Sequence, residues 1–92
     1  MPPALWSAMT ATTNNRIVMY GADWCGDCRR SKAVLDRHGI DYDYVDTVEV
    51  EDAADRARAI SGRRNIPVIV FPDGSHLVEP SDPELMTKLA AF

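Results

Sequence analysis

Apolar residues along this 92-residue chain arrive in short clusters whose spacing changes from one cluster to the next. Residues 16–21, Arg-Ile-Val-Met-Tyr-Gly, make a β-branched-rich run closed by a glycine, the pattern of a short buried strand. Residues 26–38 are helix-compatible, with Asp27 in the first turn and Arg37 in the last to suit the macrodipole, and Gly39 as a stop. Residues 40–46 alternate, with Ile40, Tyr42 and Tyr44 at one parity and Asp41 and Asp43 at the other, which predicts a second strand. Residues 51–61 hold Ala54, Ala57 and Ile60 at helical spacing and end at Gly62. Residues 67–71 read as a third strand. The turn signal Pro72-Asp73-Gly74-Ser75 then folds residues 76–78 back as an antiparallel fourth. Ser81 or Asp82 is placed to cap a last helix that starts near Pro83 and runs to Phe92, with Leu85, Met86 and Leu89 inward.

The predicted order is β-α-β-α-β-β-α. Two strands joined by a crossover helix form a parallel pair, and the closing hairpin adds an antiparallel edge. The expectation is an α/β protein of thioredoxin-like fold, with a four-stranded mixed sheet flanked by helices. Residues 1–15 contain no Lys or Arg and no continuous apolar stretch, so they lack the parts of a secretory signal. They are expected to form a flexible arm ahead of a single domain over residues 16–92, with a cytoplasmic location.

The formal charge of -4 and pI near 4.9 lack the basic footprint that neutralises phosphates, which argues against nucleic-acid and anionic-membrane partners. The longest apolar run, residues 67–72, falls far short of the roughly 20 residues needed to span a bilayer. With 46% hydrophobic residues, the chain can close one modest core but not two, so all of its chemistry must share one scaffold.

That chemistry is announced by the only two cysteines, Cys25 and Cys28. A bridge between residues so close constrains almost no loop, so the pair has a redox or metal-binding use rather than a structural one. It lies where the first strand hands over to the first helix, which puts Cys25 at a helix N-terminus and Cys28 one turn in. The partial positive charge and open N–H groups of a helix start favour thiolate over thiol. Cys25 is therefore the expected nucleophile and Cys28 the thiol that resolves the mixed disulfide. Asp27 opposes a neighbouring thiolate, and Arg29 and Arg30 in the next turn can offset it.

The run Trp24-Cys25-Gly26-Asp27-Cys28, the Ile66-Pro67 step before a strand, and Pro80-Ser81-Asp82 before the last helix resemble the glutaredoxin-like proteins of actinobacteria, and within them the mycoredoxins. The resemblance covers residues 16–92. It implies a thiol–disulfide oxidoreductase, monomeric, with no bound cofactor or metal and with disulfide-bearing proteins and a low-molecular-weight thiol as partners. It also implies that Pro67 is cis, that the Ile66 backbone pairs with an extended substrate segment, and that Trp24, Ser81 and Asp82 belong to the thiol-binding surface. Two family positions that contact glutathione carboxylates differ here. A lysine three residues before the first cysteine is Ala22, and two glycines before the last helix are Glu79 and Pro80. Those departures point to mycothiol rather than glutathione as co-substrate.

Other readings stand beside these. The protein could be a general disulfide donor reduced by a flavin enzyme of the thioredoxin reductase kind, for example one feeding ribonucleotide reductase. It could also hold an iron–sulfur cluster between two chains or act as a regulatory module. Zinc would need further ligands, and His38 and His76 are far apart in sequence. Trp24 could be a core aromatic instead of a shield over the disulfide. Arg63, Arg64 and Asn65 could be a solvated loop or could reach the substrate. His38 suits the C-terminal end of its helix, His76 a solvent-facing strand, and the acids between Asp41 and Asp52 a solvated face.

Overall fold

A computed structural model describes residues 16–91; the predicted arm over residues 1–15 and the terminal Phe92 lie outside the described residues. The elements follow the expected order: β1 (Ile17–Gly21), α1 (Gly26–Arg37), β2 (Tyr42–Asp46), α2 (Ala53–Ser61), β3 (Val68–Val70), β4 (His76–Val78) and α3 (Asp82–Leu89). They build one four-stranded sheet in the order β2-β1-β3-β4. The β1–β2 pair is parallel, with Met19 opposite Tyr44 and Gly21 opposite Asp46, as the intervening helix requires. Strand β3 runs antiparallel to β1, and the hairpin pairs Ile69 with Leu77. Its turn is closed by the Gly74 amide on the Phe71 carbonyl, with Gly74 at φ 90°, a conformation glycine adopts without a Cβ clash. No helix among the described residues is long and apolar enough to cross a membrane.

The core forms where alternate residues of the central strands meet the inward stripes of α1 and α3. Ile17, Met19, Ile69 and Phe71 pack with Cys28, Val34, Leu35 and Leu85. Cys28 is thus a core residue, because the first helix enters the sheet face at its own first turn.

Five sequence expectations shift, one of them the end of the last helix, which stops at Leu89 and not at residue 92. The second strand starts at Tyr42 rather than residue 40, because Ile40 finishes the preceding helix. Its amide bonds to the Leu35 carbonyl while the Gly39 amide bonds to Asp36, a Schellman closure with Gly39 at φ 67°. The buried stripe of α2 is Ala53 and Ala57, four residues apart, and Ala54 and Ile60 face out. The helix starts at Ala53, behind a left-handed Asp52, and its buried side chains are both alanines. Strand β3 ends at Val70, although Phe71 remains buried. In α3, Leu85 is fully buried and Leu89 partly, while Met86 is 44% exposed, one position round the helix from the stripe.

Candidate functional site

Strand β1 ends at Gly21, and the chain turns back on itself when the Cys25 amide bonds to the Ala22 carbonyl at 3.1 Å. Cys25 becomes the N-cap of α1 with extended backbone (φ -87°, ψ 120°), and no side chain caps that helix start. Its sulfur is half-buried and lies 3.9 Å from the Ile66 carbonyl oxygen. Cys28, three residues on, is only 1% exposed.

The two thiols therefore sit in opposite environments. Burial pushes the Cys28 thiol up to about 12, and the adjacent Cys25 sulfur and the Asp27 carboxylate push the same way, against a lowering contribution from the Ala22 backbone. Packing around Cys28 is close. A Cβ on Gly21 would lie 2.9 Å from the Cys28 Sγ and 3.4 Å from the Tyr44 ring. Glycine is needed there for space.

Asp27, between the cysteines, is paired. Arg30 donates from Nη1 to Asp27 at 2.8 Å and from Nε to Asp82 at 3.2 Å, so one guanidinium ties the cysteine turn to the start of α3. Arg29, the other arginine expected to offset Asp27, instead donates to the Asp23 carbonyl at 2.9 Å. Trp24 is 71% exposed, which excludes the core-aromatic reading and leaves its ring on the surface beside Cys25.

Across from Cys25, the Ile66–Pro67 peptide is cis, with Ile66 half-buried and Pro67 buried. The Pro67 carbonyl accepts from the Glu79 amide at 2.9 Å, and Glu79 accepts from Asn65 Nδ2 at 2.9 Å while holding φ 48°. Of the loop residues 63–65, Asn65 is thus the one that crosses to the α3 side. Ser81 caps α3 in a complete capping box: the Glu84 amide donates to Ser81 Oγ at 3.2 Å and the Ser81 amide to Glu84 Oε1 at 2.7 Å. Pro83 has no amide hydrogen. The α3 start is therefore occupied by its own side chains and carries the carboxylates of Glu79, Asp82 and Glu84.

Beneath Cys28, on the β2 side, lies a cleft of about 280 Å³ lined by Cys28, Asp23, Arg29, Lys32, Asp36 and Tyr44. The Tyr44 hydroxyl donates to Asp23 Oδ1 at 3.3 Å, and Lys32 Nζ stands 4.4 Å over the Tyr44 ring. Reading the sequence missed this group. Asp23, two residues before Cys25, was the available signal, and Tyr44 registered there only as a strand position. Among the described residues, no three His, Cys, Asp or Glu side chains converge as a metal site would require.

The family model for glutaredoxin matches residues 17–77, two-thirds of the chain. This chain belongs to the glutaredoxin family. It is 38% identical over 74 residues to a Mycobacterium tuberculosis protein that carries the glutaredoxin name, covering 79% of this chain and 88% of that one. It is 31% identical over 79 residues to mycoredoxin 1 of Corynebacterium glutamicum, covering 85% and 98%. The crystal structure of a glutaredoxin from Archaeoglobus fulgidus shares the fold at a TM-score of 0.75 and 22% identity, each chain covered to 96%. As a glutaredoxin, the protein is a thiol–disulfide oxidoreductase, and its mixed sheet is that of the thioredoxin-like class.

Proposed function

We propose that this glutaredoxin reduces mixed disulfides between proteins and a low-molecular-weight thiol, with mycothiol as that thiol, in the cytoplasm. Cys25 attacks the disulfide as thiolate, one partner leaves as its thiolate, and a Cys25 mixed disulfide remains. A second thiol then attacks Cys25. Either another small thiol does so, or Cys28 closes the Cys25–Cys28 disulfide and expels the bound group. In this reading Trp24 and the Ile66 backbone, whose carbonyl is 3.9 Å from the Cys25 sulfur, contact the substrate segment, with Pro67, Ser81 and Asp82 completing the thiol-binding surface.

The observation that carries this reading is the asymmetry of the two sulfurs. One is half-exposed at an uncapped helix start, and the other is buried directly behind it with its proton tightly held. The choice of mycothiol rests on the start of α3. A carboxylate ligand needs open backbone amides, and here the Ser81 and Glu84 amides are taken, Pro83 has none, and Glu79 and Glu84 add negative charge while the Arg30 guanidinium is already engaged by Asp82 and Asp27. A sugar-bearing thiol with hydroxyl donors fits those acceptors. The similarity to mycoredoxin 1 points the same way.

Wild type and Cys28→Ser, assayed on a protein mixed disulfide with mycothiol, glutathione or a thioredoxin reductase as reductant, test the reading. The expected result is fastest turnover with mycothiol, retained in Cys28→Ser when mycothiol is in excess. Turnover only with the reductase, abolished in Cys28→Ser, would replace this reading with a general protein-disulfide donor fed by a flavin enzyme.

A further inference from the structure

We propose that Asp23, oriented by the Tyr44 hydroxyl, accepts the Cys28 proton through water in the cleft beneath the cysteines when Cys28 resolves the mixed disulfide. This rests on Cys28 acting as the resolving thiol.

The need for a proton acceptor follows from burial. A thiol must lose its proton to attack, and Cys28 holds its own far above neutral pH because the core desolvates the thiolate. The route follows from the cleft. Cys28 lines it together with Asp23 and Tyr44, and a cleft of about 280 Å³ is room for several waters. Asp23 belongs to the exposed turn after β1, so a proton it receives passes on to solvent.

The other acids around the cysteines are committed elsewhere. Asp27 is bound by Arg30, and Asp36 accepts from the Tyr42 hydroxyl at 2.8 Å, a shorter bond than the 3.3 Å from Tyr44 that leaves Asp23 the more available acceptor in the cleft. Asp46 accepts the Val48 and Glu49 amides. The cations facing the cleft are Lys32, over the Tyr44 ring, and Arg29, whose side chain is anchored on the Asp23 carbonyl. They balance the charge of a cleft that holds two carboxylates. Tyr44 stays a phenol, held protonated by burial and by its acidic neighbours, so it can only donate to Asp23 and fix its orientation.

The step balances without an added oxidant. The Cys28 S–H proton passes through water to Asp23, and the Cys28 thiolate attacks Cys25. The Cys25–SR bond breaks as the Cys25–Cys28 bond forms, and RS⁻ leaves and takes a proton from solvent. Over attack and resolution together the substrate disulfide is reduced by two electrons, and the Cys25–Cys28 dithiol is oxidised by two to its disulfide.

The test uses the reduced protein and one equivalent of an aromatic disulfide whose thiolate is coloured. Attack by Cys25 releases the first thiolate, and resolution by Cys28 releases the second. In Asp23→Asn the second phase should slow by about 10- to 100-fold at neutral pH while the first changes by less than about threefold. The variant's second phase should rise about tenfold per pH unit, as direct removal by hydroxide demands, and carboxylate or imidazole buffer should restore it in proportion to buffer concentration. Tyr44→Phe should slow the second phase less and leave the first unchanged. An Asp23→Asn variant with the wild-type second phase and pH profile, or with both phases slowed alike and no buffer rescue, overturns the role of Asp23. Absence of a second phase in the wild type overturns instead the assignment of Cys28 as resolving thiol.

Discussion

The place where β1 passes beneath the first helix offers the sharpest stability prediction, through Gly21→Ala. The added methyl would lie 2.9 Å from Cys28 Sγ, 3.2 Å from Cys28 Cβ and 3.4 Å from Tyr44 Cε1. Cys28 Cβ is fixed to the backbone of α1, and Tyr44 is hydrogen-bonded to Asp23, so neither neighbour retreats without moving an element. Overpacking of this kind costs about 1–3 kcal/mol. Replacing glycine by alanine restricts the unfolded chain and returns about 0.5–1 kcal/mol. The net loss is therefore about 1 kcal/mol within a span of ~0 to 2.5, which at a urea slope near ~1 kcal/mol/M for so small a domain lowers the unfolding midpoint by about 1 M. Gly26→Ala is the control, because nothing lies within 4 Å of the Cβ it would add. Chemical denaturation of the reduced proteins decides it. Equal midpoints for Gly21→Ala and wild type would mean that the strand and helix part freely here, and the close fit around Cys28 would lose its role.

Two further outcomes follow from the same site. Burial raises Cys28 from its ordinary 9.0 to about 12, and burial with the Asp36 hydrogen bond raises Tyr42 from 10.0 to about 12. As pH climbs past 9, the unfolded chain releases these protons first, so the native state binds more protons and loses stability until its own groups ionise near 12. Urea midpoints should thus fall more steeply in wild type than in Cys28→Ser between about pH 9 and 10.5, and parallel curves would contradict the buried-thiol assignment. Trp24, 71% exposed, lies outside the core, and the proposed function has its ring contact the substrate. Trp24→Ala should keep stability within about 0.5 kcal/mol while KM for a protein mixed disulfide rises severalfold. A large drop in midpoint with unchanged KM would reverse that assignment.

Element order was readable because each boundary carries its own punctuation. Gly39, Gly62 and Gly74 all adopt positive φ where a helix or turn ends, and Ser81 forms the cap its position suggests. The errors fall where tertiary packing chooses among nearly equivalent faces. Ala54 and Ala57 look like one stripe on paper, but the helix begins behind a left-handed Asp52, and Ala53 turns inward in place of Ala54. Met86 and Leu85 are apolar neighbours about 100° apart round α3, and the way the helix packs on the core sends Leu85 in and Met86 out.

The site divides along the same line. Cys25 and Cys28 announce themselves because their chemistry depends on local spacing at a helix start, which a strand followed by Cys-Gly-Asp-Cys already encodes. What surrounds them depends on register. Tyr44 reaches Asp23 only because β2 pairs in parallel with β1 and sets Met19 opposite Tyr44, a long-range choice made by the crossover helix and not by any local motif. Slipping that pairing by one residue would turn Tyr44 to the other face of the sheet and leave Asp23 with no phenol above it. The exposed first thiol is a property of the turn, whereas the polar cleft behind the second thiol is a property of the assembled sheet.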